Sequence, residues 1–153
     1  MTEVSIRKAK IEDLKTLLEF EQGVIEAEKP LDPFLKKGDM FYYNIPNLIT
    51  NKNIYLVVAV SNNKLVGSGY VRIDNSKQYH KNPLHGYVGF IYVKPDSRGQ
   101  RISGKIIEAL KNWSKENNLN ELRLDVYHNN PAAIKSYERF GFNKSMINMR
   151  MEI

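Results

Sequence analysis

The residues with the clearest capacity for chemistry lie in a basic loop between a predicted strand and a predicted helix. The strand runs from Tyr87 to Val93, and Pro95 ends it because proline cannot donate to a β-ladder. An apolar stripe at helical spacing predicts the helix and comprises Ile102, Ile106, Ile107, Leu110 and Trp113. The loop itself is Arg98-Gly99-Gln100-Arg101-Ile102-Ser103-Gly104. Because free N–H groups at a helix start and nearby arginines attract negative charge, the segment predicts a pyrophosphate site.

The same loop nearly matches the nucleotide-binding pattern G-x-x-x-x-G-K-[ST]. Its first glycine is Gly99, but Ile106 stands where a hydroxyl must ligate Mg²⁺. The pattern also leaves its strand directly into the glycine, whereas Lys94 to Arg98 intervene here. We therefore interpret this match as accidental, and NTP binding is the weakest functional hypothesis.

A second segment repeats the arrangement of strand, turn and helix. Alternating apolar residues predict a strand over Leu122 to Tyr127. Asn130 is typical of a helix cap, and Pro131 of a first helical turn. The predicted helix continues through Ala132 to Phe140, and Gly141 closes it.

Together the two segments resemble the GCN5-related N-acetyltransferase (GNAT) superfamily. Its pyrophosphate loop, Q/R-x-x-G-x-G/A, falls on Arg98, Arg101 and Ser103. Arg101 replaces the first glycine, Ser103 replaces the glycine or alanine, and Gly104 follows one position later. The second signature, N-x-x-A-(I)-x-x-Y-E-x-x-G-F, is complete in Asn130, Ala133, Ile134, Tyr137, Glu138, Gly141 and Phe142.

This resemblance implies a single-domain α/β fold of the GNAT type over residues 1–153. Its central sheet is mixed and largely antiparallel, with helices on both faces, and a splayed pair of strands forms the cofactor cleft. The element order of the chain agrees with that fold. The other predicted elements are a strand at Val4 to Ala9, a helix with Ile11, Leu14, Leu18 and Ile25 on one face, a hairpin of Ile54 to Val60 with Leu65 to Ile73, and a final strand through Ile147, Met149, Met151 and Ile153.

By the same resemblance, acetyl-CoA is the co-substrate, with no metal, and an amine attacks its thioester directly in a ternary complex. The backbone of Ile91, Tyr92 and Val93 is expected to bind the pantetheine arm like an added strand. A backbone N–H near Val93 is expected to stabilise the oxyanion. The cofactor-binding residues of the loop are Arg98, Gly99, Gln100, Arg101, Ile102, Ser103 and Gly104.

Tyr137 is the candidate catalytic residue, because a phenol is protonated at neutral pH and can give its proton to the departing thiolate. It is also expected to contact the cofactor. Asn130 is expected to cap its helix, and whether it also contacts pantetheine stays open. The alternative for Tyr137 is a packing role beside Ile134.

The general base has no clear candidate. Many relatives carry a carboxylate on the strand that reads Gly86 to Tyr92 here, and this stretch has none. Other titratable residues near the two predicted strands are more typical of structural or exposed positions, and none is assigned. These are His85, His128, Asp125 and Tyr127.

Acceptor choice should depend on the insertions Leu31 to Leu48 and Asn75 to His85. The first contains Phe34, Phe41, Tyr42 and Tyr43, which either wall a pocket or pack on the sheet. The expected partner is an amine-bearing small molecule or peptide, and the sequence leaves a homodimer open. A non-catalytic acyl-CoA-binding module is the alternative function, favoured by the irregular loop and the missing carboxylate.

The amino-acid composition indicates the class of protein and its cellular compartment. With 153 residues, 42% of them hydrophobic and 26% charged, the chain has an ordinary globular composition. It has no apolar run long enough to cross a membrane, no signal-peptide core after Met1 and no cysteine, so we expect a cytoplasmic protein without disulfides.

The charge distribution bears on the kind of ligand that the protein binds. The net charge is +6, and its densest cluster lies at the proposed phosphate site, in Lys94, Arg98, Arg101 and Lys105. A compact cluster favours a polyanionic cofactor such as coenzyme A over nucleic acid, which needs a longer basic face. His80, His85 and His128 lack a metal-ligand spacing.

Overall fold

The computed structural model of the chain describes residues 3–153. The strands are β1 (Val4–Lys8), β2 (Ile54–Ser61), β3 (Lys64–Asn75), β4 (Leu84–Val93) and β5 (Leu122–Arg123). The helices are α1 (Leu14–Glu28), α2 (Ile45–Thr50), α3 (Ile102–Glu116) and α4 (Pro131–Arg139). Short 3₁₀ turns at Ile11–Asp13 and Pro95–Ser97 precede α1 and the loop before α3.

The strands form one mixed sheet in the order β1-β2-β3-β4-β5. Neighbours from β1 to β4 are antiparallel, whereas β5 lies parallel to β4. Asn62 and Asn63 make the predicted tight reversal between β2 and β3, with φ angles of 51° and 60°. Asparagine tolerates positive φ better than most residues, which suits it to such hairpin turns. The predicted sheet class and hairpin are thus confirmed.

Helices cover both faces of the sheet, as predicted. On one face α1 and α2 bury a cluster formed by Leu17, Phe20, Ile45, Leu48, Ile49, Leu56, Val58, Tyr70 and Phe90. On the other face α3 buries Ile102, Ile106 and Leu110 against Val57, Ala59, Val71 and Val88. Alternate residues of a strand point to opposite faces, so the sheet has a core on each side. The predicted apolar stripe of α3 covers the second of these cores.

A bulge interrupts the pairing of β3 with β4. Ser68 pairs with Tyr92, but Tyr70 pairs with Gly89, so β4 carries one extra residue at this point. Phe90 lies in the bulge with a φ of 54°, in the left-handed region. The bulge places Gly89 and Phe90 on the same face, and a Cβ at Gly89 would lie 2.5 Å from the Tyr70 hydroxyl oxygen. Close packing against Tyr70 thus explains the glycine.

β4 and β5 separate after a very short contact. Gly86 pairs with Leu122 and Tyr87 with Arg123, and the described ladder stops there. β4 continues to Val93, so its edge opens into a cleft beside the segment that follows β5. This confirms the predicted splayed strand pair.

Two predicted strands differ from the structure. The strand expected over Leu122 to Tyr127 is limited to Leu122–Arg123, because β4 diverges from it. The final strand expected through Ile147 to Ile153 is wrong, since that segment joins no described ladder and Ile147 is 84% exposed. Apolar alternation favours a strand only where a partner edge is available.

Candidate active site

The basic loop adopts a defined turn between β4 and α3. Lys94 N–H donates to the Val66 carbonyl at 2.8 Å, which keeps the end of β4 on the sheet. The Arg98 side chain then folds back, and its Nε donates to the Val93 carbonyl at 3.1 Å. Gly99 follows with a φ of 83°, in the left-handed region that glycine adopts readily. The predicted loop therefore forms a compact turn joined to the end of β4.

Arg101 is the N-cap residue immediately before α3, and its φ is 59°. The left-handed conformation costs a residue with a side chain about 1–2 kcal/mol. The motif that this loop resembles has glycine at this position, and a strained arginine occupies it here. The Arg101 side chain is exposed to solvent.

The first turn of α3 directs its backbone donors at solvent. Lys105 N–H donates to the Arg101 carbonyl at 3.3 Å and starts the helical hydrogen bonds. The preceding N–H groups, including those of Ile102, Ser103 and Gly104, have no acceptor within a regular helix. The Ile102 side chain is buried, so this residue can offer a ligand only its N–H. These donors, Arg98 and Arg101 all belong to the segment for which the sequence predicts an anion site.

The glycine at position 104 has a packing reason. A Cβ there would lie 3.1 Å from ring carbons of Phe140, which follows α4. The end of α4 thus rests on the first turn of α3. This contact brings the two predicted motifs, which lie far apart in sequence, to the same end of the sheet.

The three predicted cofactor-binding residues of β4 line up along the cleft. Tyr92 faces α1, where its ring lies 4.9 Å from that of Phe20, and Ile91 and Val93 pack on the α3 face. Successive N–H groups of an extended strand point to opposite edges. Because Lys94 N–H points to β3, the N–H of Val93 points to the cleft. A donor is therefore available where the oxyanion was expected.

The second motif folds as predicted around Asn130 and Gly141. Asn130 Oδ1 accepts from the Ala133 N–H at 3.3 Å and caps α4. Gly141 has a φ of 103° and ends the helix, as C-terminal glycines commonly do. Tyr137 lies on α4 with its ring edge-on to Phe142, at 6.0 Å between ring centroids. Burial raises the pKa of Tyr137, so its hydroxyl holds a proton throughout the neutral range.

The aromatic segment after α1 packs against α1 and against the bulge of β4. Glu21 is fully buried, and its Oε2 accepts from the N–H groups of Tyr42 and Tyr43 at 2.8 and 2.7 Å. Tyr43 stacks on Phe90 of the bulge, with 4.5 Å between ring centroids. Phe41, in contrast, is 72% exposed. The packing alternative therefore holds for Tyr43, whereas Phe41 lies at the surface.

Two carboxylates that the sequence did not indicate lie next to the aromatic segment. Glu28, at the end of α1, is half-buried, and burial raises its pKa. The Asp32 carboxylate accepts hydrogen bonds from Tyr127 at 2.6 Å and from Arg150 at 3.0 Å. These bonds, the Tyr127 one first, lower the pKa of Asp32. In the sequence, Glu28 carries no signal that separates it from the exposed glutamates of the same helix.

The other titratable residues near the two predicted strands each have separate surroundings. His85 is at the start of β4, about 25 Å from Val93 at the rise of a strand. Its Nδ1 is 2.8 Å from Ser76 Oγ, and burial lowers its pKa. Asp125 accepts from the Tyr87 hydroxyl at 2.9 Å, and His128 is exposed. The structure does not bring these three residues together.

Within residues 3–153, no group of His, Cys, Asp or Glu side chains is arranged to hold a metal ion. Of the helices described above, none combines the length and the apolar character that a membrane span requires.

In this α/β fold, β4 leaves β5 and leads into α3, whose first N–H groups are free. A sheet edge can accept an extended ligand as an added strand, and a helix start can accept a phosphate. Comparison with known proteins identifies the family. The sequence profile of the Acetyltransferase (GNAT) family matches residues 14–142. The chain belongs to this family of acetyltransferases.

Individual relatives are more distant. N-alpha-acetyltransferase 30 of Schizosaccharomyces pombe is 29% identical over 85 residues, which span 56% of this chain and 55% of that protein. A mutant of the BH1408 protein from Bacillus halodurans has the same fold, with a TM-score of 0.85, 19% identity and coverage of 97% and 99% of the two chains. A predicted acetyltransferase from Clostridium acetobutylicum, crystallised with acetyl-CoA, has a TM-score of 0.75, 19% identity and coverage of 98% and 96%.

Proposed function

We propose that this protein is an acetyl-CoA-dependent N-acetyltransferase. It would move an acetyl group to a primary amine of a small molecule or peptide by direct attack in a ternary complex. The observation that carries the proposal is the edge of β4, which leaves β5 after Tyr87 and leads directly into the donor-rich start of α3. The acetyl-CoA complex of the Clostridium protein and the activity named for the yeast relative support it.

The proposed cofactor placement uses both cleft components. The pyrophosphate would lie against the first turn of α3, between Arg98 and Arg101. The pantetheine arm would add to the β4 edge at Ile91 to Val93, as a strand does. This orientation directs the thioester toward Val93 and α4.

The acetyl transfer itself would then need only two groups of the protein, the Val93 N–H and the Tyr137 hydroxyl. The amine nitrogen attacks the thioester carbon, and the Val93 N–H stabilises the resulting oxyanion. When the C–S bond breaks, the thiolate takes the Tyr137 proton. From ordinary pKa values the proton transfer from phenol to thiolate is uphill by about 2 kcal/mol, and the raised pKa of Tyr137 adds to this cost. Asn130 serves this step by holding the start of α4.

Ligand-dependent melting tests the binding half of the proposal. A ligand at a hundred times its dissociation constant adds about 2.7 kcal/mol to the stability, so acetyl-CoA and CoA should raise the melting temperature clearly. Mg-ATP should not. Stabilisation by Mg-ATP and not by acetyl-CoA would contradict the proposal.

Release of free thiol in the presence of amines tests the catalytic half. A short peptide with a free amino terminus and an alkyl diamine are suitable first acceptors. Thiol release that depends on an amine supports transfer. Tight acetyl-CoA binding without release for any amine would instead favour the non-catalytic acyl-CoA-binding module.

Removing both loop arginines should weaken coenzyme A binding. A hydrogen bond to a charged group contributes about 1.5–3 kcal/mol, so we expect Arg98→Ala with Arg101→Ala to lose about tenfold or more in affinity. Calorimetry at moderate salt measures the change. Lys111→Ala with Lys115→Ala is a matched control, because it removes the same charge from exposed positions farther along α3. Equal affinities for both double variants would exclude the arginines from the phosphate site.

A further inference from the structure

We propose that this protein forms a homodimer in which two copies exchange their C-terminal segments, residues 146–153. Each segment adds as a strand to the free edge of β5 in the other copy and covers the apolar groove beside that edge. Three features of one chain point to this assembly: an extended apolar segment, a sheet edge with no neighbour, and a groove of matching character. The assembly is independent of the proposed acetyl transfer and is tested without it.

The C-terminal segment has the form of a strand without a ladder. Among the described residues, no helix, turn or bend interrupts the chain from Phe142 to Arg150. The apolar side chains of the segment alternate from residue 147 onward, and each is at least 82% exposed. They are Ile147, Met149, Met151 and Ile153, and Met146 before them is 88% exposed. A contiguous apolar patch of this kind normally marks an interaction surface.

The free edge is the side of residues 122–127 that points away from β4. β5 is the last strand of the described sheet, so only its edge toward β4 has a neighbour. Leu122 and Leu124 pack on the α3 face, whereas the Tyr127 hydroxyl donates to Asp32, which follows α1. The side chains therefore alternate between the two faces as far as Tyr127, as they do in a strand. A free edge of this kind is a template for another strand.

A groove of about 380 Å³ lies between α3, the start of β5 and the end of α4. Its apolar lining consists of Ile107, Leu119, Leu122, Phe140 and Phe142. A strand bound at the free edge would place every second side chain on the α3 face, where this groove lies. The alternating apolar residues of the C-terminal segment have the spacing and the character to cover it.

Arg150 defines the register of the added strand. It donates to Asp32 at 3.0 Å, and Tyr127 donates to the same carboxylate at 2.6 Å. A strand with Arg150 opposite Tyr127 allows both donors to reach one Asp32. Because Met149 and Met151 flank Arg150, they then point to the other face of the sheet, toward the groove. One register thus satisfies the polar and the apolar side of the segment.

The length of the connection favours a second copy over the same chain. Within one chain the segment reaches Asp32 through Arg150, yet it joins no described ladder and leaves the groove open. Only four residues separate Phe142, which lines the groove, from Ile147. A segment from a second copy has no such tether, and short hinges favour the exchange of identical elements. Since every copy has both the segment and the edge, exchange closes at two copies with twofold symmetry.

The area available for the contact is sufficient for a stable dimer. An exposed Met or Ile side chain offers on the order of 100 Å² for burial. Each copy contributes the five apolar side chains of its segment and the surface that receives those of the other copy. Reciprocal exchange would therefore bury roughly 2,000 Å² in total, and stable interfaces bury about 1,200–2,000 Å².

Sedimentation equilibrium of the full chain tests for the dimer. The wild type should have twice the chain mass of 17.7 kDa. Met149→Glu with Met151→Glu should weaken the dimer by about a hundredfold or more in Kd, because charges would enter an apolar contact. Both side chains are more than four-fifths exposed in one chain, so the fold itself should be kept. Gln78→Glu with Tyr79→Glu adds the same charges to exposed positions before β4 and should remain a dimer.

Cysteine cross-linking tests whether the segments are exchanged. The chain has no cysteine, so introduced thiols are the only ones present. Met149 and Met151 flank Arg150, so one of them should lie opposite Val126 whichever way the added strand runs. Chains with Val126→Cys, co-expressed with chains that carry Met149→Cys or Met151→Cys, should therefore form a disulfide-linked dimer under mild oxidation in one of the two combinations. The same chains co-expressed with Tyr79→Cys chains should not.

Three results would overturn the exchange. The first is a monomeric wild type. The second is a dimer that forms the disulfide in neither combination, because the copies would then meet at another face. The third is a single chain with Val126→Cys and Met151→Cys, or with Val126→Cys and Met149→Cys, that closes its disulfide internally, because the segment would then cover its own edge. Each of these results leaves acetyl transfer untouched, since amine-dependent thiol release measures that activity separately.

Discussion

Tyr137→Phe should lower turnover by about 10²–10⁴-fold, the range of general-acid contributions, while acetyl-CoA affinity stays close to that of the wild type. The ring would keep its edge-on contact with Phe142, so packing of α4 is preserved. Only the hydroxyl, whose pKa burial raises, is removed. Turnover with the best amine and the dissociation constant for acetyl-CoA are the two quantities to compare.

Tyr79→Phe is the matched control, because Tyr79 is 77% exposed and loses the same atom. Its turnover should equal that of the wild type. Unchanged turnover in Tyr137→Phe, with chemistry shown to be rate-limiting, would mean that the thiolate is protonated from another source. A joint fall of affinity and melting temperature would show that Tyr137 is a packing residue.

Phe90→Ala should destabilise the protein by about 3–5 kcal/mol, the usual cost of removing a buried aromatic side chain. Phe90 is 3% exposed and forms part of the core beneath α1 and α2. It also stacks on Tyr43, so its loss would loosen the packing of the aromatic segment. Urea unfolding at neutral pH measures the free energy of unfolding directly.

Phe41→Ala is the control for this change, because Phe41 is 72% exposed in the same aromatic segment. Exposed substitutions of this kind usually alter stability by less than about 0.5 kcal/mol. A similar small effect for Phe90→Ala would mean that the bulge collapses without a cavity, and the assigned packing would be wrong.

Elements governed by short-range interactions were predictable from the sequence. The cap at Asn130, the helix end at Gly141 and the Asn62–Asn63 reversal depend on residues within four positions of each other, and all three have the expected form. The stripe of α3 also predicted its buried face. The resemblance in the two motifs identified the family for the same reason, because each motif is local.

The two segments predicted as strands after α3 show the limit of prediction from local sequence. Leu122 to Tyr127 and Ile147 to Ile153 both alternate as strands do, yet only Leu122–Arg123 pairs. A strand is stabilised by a partner edge, and β4 moves away from this region after Tyr87. Alternation in one segment carries no information about the course of another.

Glu28 illustrates the same limit for chemistry. In the sequence it is one of several glutamates on α1, and Glu26 is as plausible. Only the tertiary structure half-buries its side chain, and that burial raises its pKa. The residue types and the local turns were determined by the sequence alone. The open cleft and the environment of its carboxylate were decided by tertiary contacts, because burial and electrostatic fields depend on groups that are distant along the chain.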